Sequence, residues 1–469
     1  MKSNHYSLLS FFCGCIFLLP VENLQASHIS GADISYRCLT GLTYRFHYTL
    51  FRDCTGTPAN QGLTLHIVSA SCGFTQDVWM PQLPGGGTEI TNVCPGTLTT
   101  CSGSNTIAGV QKWEYQTDFT LPARCADWIF SIDDCCFNSA ITTAPGPINL
   151  YLEARLNNLT NDNSSPRFTN DPVIFVCQNN DFHFNNGMLD DDGDSLVYSL
   201  TTPLYAANQN ISYLPGYNAT QPLSSSPGIT FNDFSGDLFI HPTATEVGII
   251  SYLIMDYRNG ELMGSVMRST TIYTTPCTNQ NPTLSGIDGS LINTVYVLPG
   301  TYICFDIHSA DQDSGQVLTM SWNNAIIPAT FAIAGAPFPT GTFCWATSQL
   351  DLRTQPYMFT STIVDNSCPY LGVGVYSYFI YVTLDSSLVS IGESKMNSMS
   401  VSPNPSTGIF TLKTAGLFSH IKIYNSLGEC VMSKEFENRI DLTAQPPGVY
   451  FVEAMESEGK VMRKKLVKE

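Results

Sequence analysis

Charge is scarce in this chain. Asp, Glu, Lys and Arg make up 13% of its 469 residues. Cations are scarcest: residues 27–398 hold 11 Lys+Arg against 30 Asp+Glu, and two of those 11 are lysines. Nucleic acid and anionic bilayers bind by exchanging counterions for cationic side chains, so a body this acidic excludes both and instead attracts divalent cations. Long helical periodicity is missing beyond the N-terminus. No apolar run past the first 20 residues approaches the roughly 20 residues of a membrane span. HExxH, GxSxG and P-loop motifs are absent, and no CxxC pair offers zinc thiolate ligands.

What remains is turn-rich. The 35 glycines and 27 prolines break helices, while Thr, Tyr, Phe and Val suit a pleated surface, so the fold class is all-β. The length implies three or four domains of about 100–150 residues. Lys2, the apolar run Leu8 to Leu19 and the small-residue site ending at Ala26 form a secretion signal over 1–26. Removing Cys13 and Cys15 with it leaves 14 cysteines in an exported, oxidised chain, where disulfides are expected. Eight of them, Cys38, Cys54, Cys72, Cys94, Cys101, Cys125, Cys135 and Cys136, fall in the first domain and are expected to pair fully among themselves. Cys135 and Cys136 are expected in two separate bridges. Cys177, Cys277, Cys304, Cys344 and Cys368 follow; the last three leave an odd one that reaches back to Cys277, and Cys430 is expected to stay unpaired.

An internal repeat organises the middle. FHFNNGMLDDDGDSLVYSL (182–200) lies on FDIHSADQDSGQVLTMSW (305–322), and SGDLFIHPTATEVGIISYLIMDY (235–257) on TGTFCWATSQLDLRTQPYMFTSTIVDN (340–366). Each copy reads strand, Asp loop, strand, Gly turn, strand, strand, Asp. The boundaries follow: a disulfide-rich β domain over 27–165, copies at 172–276 and 277–384, a linker at 385–398 and a near-neutral module at 399–469. Alternation in Tyr252 to Asp256 and Tyr357 to Thr360 gives each strand one buried face.

The copies resemble cadherin-like and immunoglobulin-like β-sandwich repeats of bacterial surface proteins, which carry a DxDGDxL loop before a strand. The stretches SHISGADISYRCL, YTLFRDCTG, WIFSIDDCCFN and LYLEARLNN resemble the first domain of large secreted proteins of the Bacteroidetes. VSPNPSTGIFTL, IKIYNSLGE, IDLTAQPPGVYFVEA and the terminal KKLVKE resemble the type A sorting domain of the type IX secretion system. That resemblance implies recognition by an outer-membrane translocon, removal of the module by a sortase-like protease, and delivery to the outer cell surface or release.

Residues 192–196 contain GDSL, a serine esterase signature, with Ser195 in the nucleophile's place. Here it precedes a strand rather than a helix, no Asp-x-x-His follows, and four nearby carboxylates oppose deprotonation. Calcium is the better reading of the loop. Asp190, Asp192 and Asp194 alternate around Gly193, and Asp256 arrives from a later strand end; hard cations take such oxygens. Asp311, Asp313 and Asp365 form a second copy lacking the third loop aspartate. The alternative for both loops is an acidic, solvated turn. His28, His183, His241 and His308 are isolated, and Trp322 and Trp345 fall in strand patterns that suit a core. Asp133-Asp134 is the nearest carboxylate pair to a glycosidase's, yet adjacent strand residues point to opposite faces. The expectation is a non-enzymatic structural or adhesive surface protein; the competing class is a carbohydrate-binding or carbohydrate-active passenger with a glycan or cell-surface ligand.

Overall fold

The computed structural model describes residues 29–386, 388, 399–414, 418–425, 429–456 and 461–469, except 105, 146 and 147. The signal segment 1–26 and most of the linker 385–398 lie outside the described residues. The chain divides into two compact units, 1–386 and 387–469. Both are all-β, in keeping with the turn-rich composition.

The first eight strands are β1 (Ile29–Thr40), β2 (Thr43–Asp53), β3 (Gly62–Ser69), β4 (Phe74–Pro81), β5 (Thr88–Glu89), β6 (Val110–Thr120), β7 (Trp128–Asp134) and β8 (Leu150–Leu156). Period-2 alternation builds them: in β3, Leu63, Leu65 and Ile67 point to the core while Thr64 and His66 face out. Their sheet runs in the order β4-β3-β7-β8, then the strand Glu261–Thr275, then β1-β2-β6-β5. Phe46, Tyr36, Trp128 and Phe130 fill the space inside, with Phe46 and Phe130 ring centres 4.5 Å apart. Each large apolar side chain buried there contributes about 1.5–3 kcal/mol.

One strand of this sheet was expected elsewhere. Glu261–Thr275 ends the first repeat, yet it pairs with β1 through Gly31 and Thr270 and with β8 through Leu156 and Gly264. On its other flank it pairs with Val247–Arg258, which in turn pairs with Ser195–Thr201. The ranges 27–165 and 172–276 therefore share one sheet and one core rather than standing as two sandwiches. A small sheet of Phe182–Asn185, Asp237–Ile240 and Thr230–Phe231 closes over that core.

The second repeat is a sandwich in its own right. Two four-stranded sheets enclose Phe343, Trp345, Phe359 and Ile380. Trp322 packs against that core, so both tryptophans are structural. In the C-terminal unit, a three-stranded and a four-stranded sheet bury Phe410, Ile421, Ile423, Val452 and Leu466.

The disulfides depart from the expected closed set of eight. Cys54–Cys101 and Cys72–Cys125 lie within the first region, but Cys94 joins Cys368 across a sequence separation of 274. Cys135 and Cys136 bond to each other rather than entering two bridges. That leaves Cys38 without a partner, and Cys38 is free, as is Cys430. Cys277 pairs back to Cys177, and Cys304 with Cys344. The Cys94–Cys368 bridge sits in a backbone seam, where Cys94 N donates to Pro369 O and Leu371 N to Asn92 O. Asn92 extends the seam by accepting from Phe175 N and donating to Phe175 O.

Candidate metal centre

Strand Ser195–Thr201 begins where the aspartate loop ends, and strand Val247–Arg258 lies antiparallel to it with Leu196 opposite Asp256. This register carries Asp256 to the loop. Gly193, at φ +76°, takes the left-handed conformation that folds the loop back on itself. Asp194 N then donates to Asp190 Oδ1 at 2.7 Å, closing the turn.

Asp190, Asp194 and Asp256 each offer an oxygen within 4.8 Å of the other two. Asp256 is fully buried and Asp194 nearly so. Asp256 Oδ2 accepts from Asn163 Nδ2 at 2.6 Å. Its Oδ1, and Oδ2 of Asp190, are buried without a hydrogen-bond partner among the described residues. Burial, then the neighbouring Asp190 and Asp194, push Asp256 up to about 7. Burial first, then Asp194 and Asp192, push Asp190 up to about 6. Buried acceptors normally find donors, so two orphaned carboxylate oxygens side by side fit a hard cation.

Asp192, expected as a ligand, turns away from the trio. It accepts from Ser164 N at 2.6 Å and lies 3.2 Å from Arg258 Nη2. Arg258 grips Asp194 through Nε and Nη2 at 2.7 and 2.8 Å, and its Nη2 also donates to Asn163 Oδ1. The guanidinium thus neutralises one carboxylate of the group.

The second repeat is built on the same plan. Asp313 N donates to Asp311 Oδ1, Gln280 N to Asp313 Oδ2, and Asn279 Nδ2 to Asp365 Oδ2 at 2.6 Å. Two of these contacts have counterparts in the first copy, Ser164 N to Asp192 Oδ2 and Asn163 Nδ2 to Asp256 Oδ2, whereas the donor to Asp190 Oδ1 there is Asp194 N rather than Asp192 N. Yet Asp365 Oδ1 also accepts from Ser367 N and Gly372 N, so this carboxylate is satisfied. Asp311 Oδ2 remains buried and unpartnered among the described residues. Copy two gathers fewer free oxygens.

Asn163, Asn279 and Arg258 were not foreseen. A signal for the first two is present: Asn163-Ser164-Ser165-Pro166 and Asn279-Gln280-Asn281-Pro282 repeat Asn-x-x-Pro ahead of each copy. The histidines do not converge: His183 packs against Phe239 and Tyr376, His241 pairs with Asp181, and His308 sits beside Thr340. His28 lies outside the described residues. Ser195 opens its strand, and Asp133 is exposed where Asp134 turns inward, so the adjacent pair does not share a face.

Residues 400–469 match the family of secretion system C-terminal sorting domains. No curated protein matches the chain. Among solved structures, the N-terminal four Ig domains of Dscam1 isoform 6.9 are similar at 11% identity, covering 94% of this chain and 99% of that one, with a TM-score of 0.16. The titin Ig tandem A164-A165 is similar at 8% identity, covering 46% of this chain and 96% of that one, also at 0.16. Scores this low carry no argument about the fold. The sorting tail does carry one about location: it marks the chain for export through its secretion machinery, to the cell surface or beyond. Among the described residues no helix is long and apolar enough to cross a membrane.

Proposed function

We propose that the chain is a non-enzymatic protein of the outer cell surface, structural or adhesive in role, whose repeats are stiffened by calcium. The observation that carries this reading is the junction built twice. An asparagine ahead of each repeat holds a strand-end aspartate, and the first junction leaves two buried carboxylate oxygens without partners. Asp190, Asp194 and Asp256 would hold the ion there, with Asp311, Asp313 and Asp365 as a weaker second set. The ion supplies the positive charge that lets the loop, the strand end and the Asn163 segment come together without mutual repulsion. Arg258 already offsets part of that repulsion, so the affinity belongs with extracellular modules, about 10⁻⁴–10⁻³ M.

Type IX export fits this use, since calcium is plentiful outside the cell and a sortase-like protease would remove residues 399–469 on arrival. A test joins both halves of the reading. Beads coated with the mature chain should adhere to cells or cell-surface polymers in millimolar calcium and detach in chelator, while the segment 157–171 becomes protease-sensitive on chelation. Adhesion and cleavage that both ignore calcium would overturn the reading.

A further inference from the structure

The outward face of the sheet at β4, β3, β7 and β8 bears a built aromatic platform. Trp79 is 61% exposed, although tryptophan is highly buried on average. Its position is not accidental. Thr64 lies opposite it in the register of β3 and β4, and a Cβ at Gly62, one step along, would collide with indole atoms Cζ2 and Cε2. The indole occupies the space a side chain at Gly62 would take, so a larger residue there would push the exposed ring aside.

Beside the platform runs a polar row. His66 stands opposite Asp77 on one side and Ser131 on the other, and Ser131 opposite Glu153. His66 Nδ1 lies 2.7 Å from Asp77 Oδ1, and its Nε2 lies 3.8 Å from Asp133 Oδ2. Glu153 accepts from Tyr151 OH at 3.0 Å and from Arg155 Nε at 2.7 Å. Asp77 and Asp133 keep 65% and 54% of their side chains exposed, with oxygens still open to donors. Two residues further along the strands, Val68, Ile129 and Arg155 border a groove of about 500 Å³. From Thr64 to Val68 is about 14 Å at 3.4 Å per residue, the reach of a short oligosaccharide.

We infer that this face binds a neutral saccharide chain. A pyranose ring presents a flat C–H face that suits an open indole, and hydroxyls that both donate and accept, which suits carboxylates beside imidazole and guanidinium. Charge selects among sugars. The exposed Asp77 and Asp133 repel sulfated and uronic polymers, while Glu153, buried beneath them, already neutralises Arg155. The inference goes beyond the calcium reading and does not depend on it, since none of these residues belongs to the metal centre.

The test uses the mature chain on an array of neutral gluco-, manno-, xylo- and N-acetylglucosamine oligomers beside sulfated and uronic ones. Binding confined to one or more neutral series is expected, unchanged by chelator. Trp79→Ala should lower the association constant about tenfold or more, Trp79→Phe less, with melting temperatures preserved because the indole is mostly in water. Gly62→Val, which displaces the indole without removing it, should weaken binding as well. No neutral saccharide bound, preference for anionic glycans, or full binding by a normally melting Trp79→Ala variant would each overturn the inference. So would Trp79-dependent dimerisation in sedimentation, which would make the face an interface between copies.

Discussion

Asp256→Asn separates the cation centre from an ordinary acidic turn, because the two readings give opposite signs. Without an ion, the oxygens of Asp190 and Asp256 face each other within 4.8 Å, while Asp194 alone has a guanidinium. A like-charge pair at that distance costs about 3 kcal/mol at an effective dielectric constant of 20. Neutralising Asp256 removes that cost and weakens one charge-assisted hydrogen bond from Asn163, worth about 1 kcal/mol more than a neutral one. In chelator the variant should therefore be the more stable by about 2 kcal/mol. In calcium at a hundred times its dissociation constant, the parent should gain about 2.7 kcal/mol and the variant nothing. For a cooperative unit of about 150–250 residues each kcal/mol moves the melt by about 2–4 °C, so the parent's calcium shift should reach about 5–10 °C. Differential scanning calorimetry of the mature chain reads both signs, with Asp191→Asn and Ser195→Ala as controls that keep the shift. A parent indifferent to calcium, together with a variant less stable than the parent in chelator, would refute the reasoning.

Export depends on the tail: deletion of residues 399–469 should leave the chain in the periplasm, and cell fractionation that finds the truncated chain at the surface would contradict the sorting role. Non-reducing peptide mapping should recover Cys94 joined to Cys368 and Cys135 to Cys136, with Cys38 and Cys430 alkylated. Replacing Cys94 and Cys368 together by Ser should cost up to about 5 kcal/mol, since the bridge closes a loop of 274 residues that other bridges shorten only in part. An unchanged melt would show that the backbone seam around Asn92 suffices. Burial raises Asp134 to about 6, so its stabilising neutral form is fully present below about pH 4 and lost as pH rises through about 6. Asp134 sits near the Tyr48 and Tyr115 hydroxyls, and Asp134→Asn should match the parent near pH 4 yet exceed it by up to about 3 kcal/mol at pH 7. A pH-independent difference between their melts would remove that account.

The turns of the aspartate loops were legible because they are written locally: acidic residues at alternate positions, a glycine for the left-handed turn, a strand after it. Asp256 was legible for the same reason, being fixed by strand order within one copy. Disulfide partners were not, because pairing Cys94 with Cys368 depends on a seam between distant segments that leaves no mark on either one.

The place of the strand Glu261–Thr275 was not legible for a more instructive reason. It is buried along most of its length, as a central strand should be, but its centre reads Arg-Ser-Thr-Thr, which looks like a solvated edge. The polarity is satisfied internally. Arg268 is 2% exposed, and Nε and Nη2 donate to Asp33 Oδ2 of β1 at 2.9 and 2.6 Å. Its Nη1 donates to Asn170 O and Asn186 Oδ1, and its guanidinium lies 4.1 Å from the Phe168 ring centre. A buried arginine so enclosed fixes β1 beside this strand, because removing either partner would strand a charge in the core at a cost of about 3–5 kcal/mol. Hydrophobic alternation tells which face of a strand is covered, whereas the neighbour that covers it is specified here by one ion pair spanning 235 residues of sequence. That pair, with the strand pairing to β1 and β8, holds the first region and the first repeat in one body, so a boundary drawn from the internal repeat cuts through a single sheet.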